Sequence, residues 1–149
     1  MSYEFRIRRR VEFSETDAAG IVHFSSYFKY MESAEHAFFR SLGFSVVTKI
    51  GQEMYGWPRV HAECDFSAPL HFEDEFEVHL LVREVKSKAL VFDFHFALPE
   101  EIGGRRIGRG SFTTVCVTKK PDGTMTSSTI PEAIARRITV APPELLEPR

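Results

Sequence analysis

Apolar and polar residues alternate at the start of the chain: Tyr3, Phe5, Ile7, Val11 and Phe13 interleave with Glu4, Arg6, Arg8, Arg10 and Glu12. A period of two is that of a strand buried on one face, so a first strand is predicted over residues 3–13. The period then changes. Tyr27, Met31, Ala34, Phe38 and Leu42 recur every three to four residues, with Lys29, Glu32, Glu35 and Arg40 largely on other faces. That predicts an amphipathic helix from Ser25 or Ser26 to Leu42, with a serine capping its first turn and Gly43 ending it in a left-handed conformation.

Alternation returns at Val60, Ala62, Cys64, Phe66 and Ala68, a run closed by Pro69, and again at Phe76, Val78, Leu80 and Val82 and at Leu90, Phe92, Phe94, Phe96 and Leu98. Lys86-Ser87-Lys88 reads as a tight hairpin between the last two. After Gly103-Gly104 the β-branched stretch 105–119 predicts a fifth strand, ended by the turn signal Pro121-Asp122-Gly123. Pro131 opens a short closing helix, and residues 141–149 read as a frayed tail. The order strand, long helix, four strands predicts an α+β domain over residues 1–140, an antiparallel sheet curled around one central helix.

With 149 residues, 43% of them hydrophobic and fourteen phenylalanines, the chain has material for one well-filled core. A formal charge of -2 argues against general affinity for nucleic acid or an anionic membrane. Cys64 and Cys116 lack metal-ligand spacing and a Cys-x-x-Cys pattern, which predicts buried, reduced thiols. The basic Arg6–Arg10 stretch is followed by no apolar signal region, and no apolar run is long enough to span a bilayer, so a cytoplasmic location is expected.

The chemistry concentrates between the first strand and the helix, in Phe13-Ser14-Glu15-Thr16-Asp17-Ala18-Ala19-Gly20-Ile21-Val22-His23-Phe24-Ser25-Ser26-Tyr27. Asp17 is the lone aspartate there, and a helix N-terminus beside it supplies unsatisfied amides and partial positive charge. A carboxylate and free amides converging on one atom suit polarisation and attack of a carbonyl. An aspartate in such a turn can instead serve only its neighbouring amides, and Gly20 is most simply a permissive turn residue. His61, Glu63 and Asp65 share a strand face without a clear fourth ligand and read as a polar sheet surface; no metal site is expected.

The segment Glu15-Thr16-Asp17-Ala18-Ala19-Gly20-Ile21-Val22-His23-Phe24 with Tyr27 resembles the signature of the 4-hydroxybenzoyl-CoA thioesterase family of hotdog-fold proteins. The resemblance implies a hotdog fold, a homodimer joined sheet edge to sheet edge or a homotetramer built from two such dimers, and an acyl-CoA thioester substrate held at a subunit interface with no separate cofactor. By position it makes Asp17 the catalytic carboxylate and the Phe24 backbone amide the carbonyl donor. Gly20, His23, Ser25 and Tyr27 become candidate substrate contacts, and Arg83, Lys86 and Lys88 candidate partners for the CoA phosphates. Where some relatives carry a Tyr-His pair this chain has His23-Phe24, so a histidine acid/base role does not transfer. The wording also resembles relatives acting on 1,4-dihydroxy-2-naphthoyl-CoA. Asp17 as nucleophile and Asp17 as general base remain equally open, as do two rival functions: a noncatalytic acyl-CoA-binding protein and a hotdog enoyl-CoA hydratase or dehydratase.

Overall fold

The computed structural model describes residues 1–148. Its elements are β1 (Glu4–Arg10), α1 (Ser26–Ser41), β2 (Thr48–Ile50), β3 (Glu53–Gly56), β4 (Arg59–Phe66), β5 (Glu75–Val85), β6 (Ala89–Ala97), β7 (Arg106–Val115), β8 (Val117–Lys119), β9 (Met125–Ser127) and α2 (Glu132–Ala135). Five strands form an antiparallel sheet in the order β1-β5-β6-β7-β4, and α1 packs on one face of it. This is the hotdog architecture.

The packing follows the two periodicities. From α1, Tyr27, Tyr30, Met31, Ala34, Phe38 and Phe39 are buried, and from β6 the alternate residues Leu90, Phe92, Phe94 and Phe96 meet them. Phe38 lies edge-on to Phe92 with centroids 5.9 Å apart. Each such ring, wholly removed from water, contributes roughly 1.5–3 kcal/mol. Gly43 adopts φ +89° just past the helix, and the Phe44 N–H returns to the Phe39 carbonyl at 3.0 Å, a left-handed stop.

Four expectations need correction. The first strand ends at Arg10, after which Phe13–Glu15 form a single 3-10 turn. The stretch 105–119 is two strands: at Cys116 the N–H donates to the Lys88 carbonyl (2.7 Å) and the carbonyl accepts from Ser128 N–H (2.9 Å), so the backbone leaves the main sheet there. Beyond it β8 joins a small second sheet in the order β2-β3-β8-β9, whose strands of three or four residues are too short to show a period. Finally, the tail is docked. Ala141 is buried and donates to the Val82 carbonyl (2.8 Å), the Glu147 carbonyl accepts from Arg83, and the Glu147 carboxylate pairs with Arg106 and Arg109.

β4 is an edge of the main sheet, and both of its faces are largely open, with Val60 65% and Phe66 50% exposed. Among the described residues, no helix is long and apolar enough to cross a membrane. Both cysteines are free; Cys116 is buried but Cys64 only half-buried, and burial pushes their thiols up to about 11 and about 12 respectively.

Candidate active site

Leaving β1, the chain folds the motif into a closed loop. Thr16 and Val22 form an antiparallel bridge, the Asp17 N–H donates to the Ile21 carbonyl (2.8 Å), and the Gly20 N–H donates to the Asp17 carbonyl (3.0 Å). Gly20 sits at φ +83°, a conformation that strains any residue with a Cβ, which suits it to the turn. Asp17 is half-buried. Its Oδ1 accepts the Ala19 N–H at 2.8 Å and the Ile21 N–H at 3.4 Å, and neither bond uses Oδ2. The carboxylate is thus oriented by the loop while one oxygen stays uncommitted to it.

Glu15 ties this loop to the helix. Its Oε1 accepts from the Tyr30 hydroxyl and the Glu12 N–H, both at 2.9 Å, and its Oε2 from Arg9 at 3.2 Å. Its carbonyl accepts from the His23 N–H (2.8 Å) and the Ser26 hydroxyl (3.1 Å). Burial, and then the bond to Glu15, hold the Tyr30 phenol well above its ordinary range. Nothing local in the sequence marks Glu15 for this role, because its partners Arg9 and Tyr30 lie on two different elements.

At the helix entry the expected serine cap is replaced. Ser25 occupies the cap position without a side-chain cap bond; instead its N–H donates to His23 Nδ1 at 3.2 Å, and its hydroxyl lies 2.8 Å from the same nitrogen. The Ser26 N–H donates to the His23 carbonyl (2.9 Å), Tyr27 to Phe24 (3.4 Å) and Phe28 to Ser25 (3.3 Å). Among the described residues the Phe24 N–H has no acceptor. It is therefore the amide left over at the positive end of a 16-residue helix.

Asp17 and Phe24 line one cavity of about 480 Å³, together with Tyr27 and, from the end of β4 onward, Phe66, Ser67 and Pro69. Tyr27 is 3% exposed, packs edge-on against Phe66 (4.9 Å) and Phe96 (5.3 Å), and burial pushes its phenol up to about 12. It is a neutral wall at physiological pH. Alternation alone marks Phe66 as a core residue; Pro69, three residues on, is the signal in the sequence that the chain turns back there.

A model of the thioesterase-like superfamily matches residues 11–147. The chain belongs to the thioesterase-like superfamily. It is similar to an esterase-named protein of Aquifex aeolicus (strain VF5), itself only provisionally assigned, at 44% identity over 92 residues, 60% of this chain and 70% of that one. A 1,4-dihydroxy-2-naphthoyl-CoA hydrolase of Synechocystis sp. (strain ATCC 27184 / PCC 6803 / Kazusa) is 26% identical over 113 residues, 76% of this chain and 80% of the relative. Among solved structures, a gentisyl-coenzyme A thioesterase superposes with a TM-score of 0.73 at 32% identity, covering 88% of this chain and 99% of its own. A 4-hydroxybenzoyl-CoA thioesterase superposes with a TM-score of 0.77 at 15% identity, covering 91% and 99%, a likeness of fold. The chain is accordingly an enzyme of the thioester-hydrolase class.

Not every candidate of this thioesterase reaches the Asp17 cavity. His23 and Ser25 stand beside it, occupied with each other. Arg83 is committed elsewhere: its Nε donates to the buried Asp93 at 2.7 Å and its Nη2 to the Glu147 carbonyl, which corrects its assignment as an open phosphate contact. Lys86 and Lys88 are exposed, Lys86 lying 3.6 Å from Glu84. Within one chain they sit at the far end of β5 from the Asp17 loop, roughly 30 Å along the strand.

Two other features compete for attention. Glu35, on α1, is fully buried; its Oε1 accepts from Arg59 at 2.7 Å, its Oε2 has no partner among the described residues, and burial, offset by Arg59, pushes its carboxyl up to about 7. A larger cavity, about 750 Å³, lies by the second sheet, where Met54, Tyr55, Trp57, Arg59, Lys119 and Lys120 line it and no carboxylate does. Among the described residues no three His, Cys, Asp or Glu side chains are grouped to hold a metal ion; His61 and Glu63 are an exposed pair at 3.7 Å.

Proposed function

We propose that this thioesterase hydrolyses an acyl-CoA, either an aryl-CoA or a short- to medium-chain acyl-CoA, to the free acid and CoA, acting in the cytoplasm with no cofactor beyond the CoA of its substrate. The observation that carries the reading is that Asp17 and Phe24, whose N–H has no acceptor among the described residues, line one cavity together with Tyr27 and Phe66. The thioester carbonyl oxygen accepts the Phe24 N–H, which stabilises the negative charge that develops there; one such donor is worth about 3 kcal/mol of barrier. Asp17 either attacks the carbonyl carbon or removes a proton from the water that does. Collapse of the tetrahedral species breaks the C–S bond, and CoA leaves as a thiolate that needs no strong acid. If Asp17 attacks, water then hydrolyses the mixed anhydride and restores the carboxylate. Aromatic walls favour a flat acyl group.

The working form is proposed to be a dimer joined through β4, or two such dimers. β4 offers an exposed edge, and antiparallel pairing of two copies sets the Arg59 end of one against the Phe66 end of the other. The large cavity of one copy, and the hairpin bearing its Lys86 and Lys88, would then face the Asp17 end of the second, where CoA phosphates need cations.

Free-CoA release from matched aryl, short aliphatic and medium aliphatic CoA thioesters tests the reading, with hydration of an enoyl-CoA followed in parallel. Turnover of a thioester and none of the enoyl-CoA is expected. Tight binding of the panel without CoA release would overturn it in favour of a binding protein, and enoyl-CoA hydration would overturn it in favour of a hydratase.

A further inference from the structure

Counting acceptors for the amides at the entry to α1 isolates one side chain. Of the N–H groups from Phe24 to Phe28, Ser25 uses His23 Nδ1, Ser26 uses the His23 carbonyl, and Tyr27 and Phe28 use carbonyls one turn back. The His23 ring also stacks on the Phe24 ring, with centroids 4.5 Å apart and planes 29° from parallel. A buried or oriented amide seeks an acceptor, so a Ser25 N–H deprived of Nδ1 would compete for the same space as the Phe24 N–H or pull the turn open.

We propose that His23 is a positioning residue for thioester cleavage: its Nδ1 takes up the Ser25 amide and its ring clamps Phe24, so that the Phe24 N–H alone is presented to the substrate carbonyl. The inference rests on the thioesterase reading of the same cavity but gives His23 no contact with substrate. It requires a neutral imidazole with its proton on Nε2, because a protonated Nδ1 cannot accept from an N–H. Phe24 is 63% exposed in the single chain, so packing within that chain does not hold its ring, and the stack with His23 is the ring contact it makes there. Sequence position agrees: the departure from a Tyr-His pair to His23-Phe24 puts the imidazole one residue ahead of the donor amide.

Two substitutions separate the clamp from general packing. His23→Phe keeps a ring to stack and loses the acceptor; His23→Asn loses the ring but offers an oxygen close to where Nδ1 stands. With an acyl-CoA that the wild type turns over, His23→Phe is expected to lower kcat about tenfold with KM within about twofold, and His23→Asn to recover kcat to within about threefold of wild type. Nitrogen-15 spectra of the wild-type imidazole, which need no variant to fold, are expected to show the Nε2–H tautomer with Nδ1 as acceptor. An unchanged kcat in His23→Phe, an equal fall in both variants, or the Nδ1–H tautomer would overturn the positioning role while leaving the thioesterase reading intact. A wild type silent on the whole panel would bring down that reading and this role with it.

Discussion

Two carboxylates flank the same helix and have opposite characters. Asp17, before the N-terminus of α1, is half-buried, held through one oxygen by two backbone amides, and lines a cavity with Phe24, whose N–H has no acceptor among the described residues. Glu35, in the body of α1, is fully buried, paired with Arg59, and pushed by burial up to about 7. A strongly shifted carboxyl is often a sign of a catalytic site. Here the shift marks the residue without access, because the Glu35 carboxylate is wholly buried and tied to Arg59, while the proposed reactive position, Asp17, lines a cavity with the residue that carries the amide donor. Geometry, more than titration, decides between them.

The largest effect is expected at the amide donor. Phe24→Pro deletes the N–H and is expected to lower kcat about 100- to 1000-fold, while Phe24→Tyr, which keeps both the N–H and the ring stacked on His23, stays near wild type; CoA-release kinetics on folded protein checks both. At the other carboxylate, Glu35→Ala strands Arg59 and should destabilise the fold by about 3 kcal/mol, read from denaturant midpoints.

The Glu35 shift also fixes the sign of a pH effect. Its folded value is raised above the unfolded one, so the favourable contribution is fully present below about 4.5 and is lost as pH rises through about 7. Wild type should therefore lose up to about 3 kcal/mol across that window that Glu35→Gln does not lose, visible as a steeper fall of Tm with pH. A flat difference would mean the pair stays ionised throughout. The smallest effect is expected at Tyr27→Phe, which keeps the wall against Phe66 and Phe96 and should change kcat by less than about threefold, since a phenol raised to about 12 does not ionise in the assay range.

Much of this was legible before any coordinates. Long runs such as Leu90 to Phe96 and Tyr27 to Phe38 declare their period because the buried face is continuous, and Gly43 declares the helix end because only a left-handed residue fits there. That Asp17 and Phe24 come together at the entry to the helix was legible from the turn-then-helix order and the motif. What stayed hidden depends on contacts distant in sequence: β2, β3 and β9 are too short to carry a period, the break at Cys116 is set by bonds to Lys88 and Ser128, and the docking of Glu147 relies on Arg83 and Arg106 from two different strands. The Ser25 cap failed for a local reason, since the imidazole two residues earlier engages the Ser25 hydroxyl, which makes no cap bond to the amides of the first turn.

The central claim is that thioester cleavage belongs to the Asp17 corner and that Glu35 is structural. The most direct test is kcat for CoA release by Asp17→Asn and Glu35→Gln side by side, with Tm recorded for each. The account predicts a fall of at least about a hundredfold at unchanged Tm for Asp17→Asn and near-normal turnover for Glu35→Gln; full turnover in Asp17→Asn, or a collapse in a folded Glu35→Gln, would contradict it.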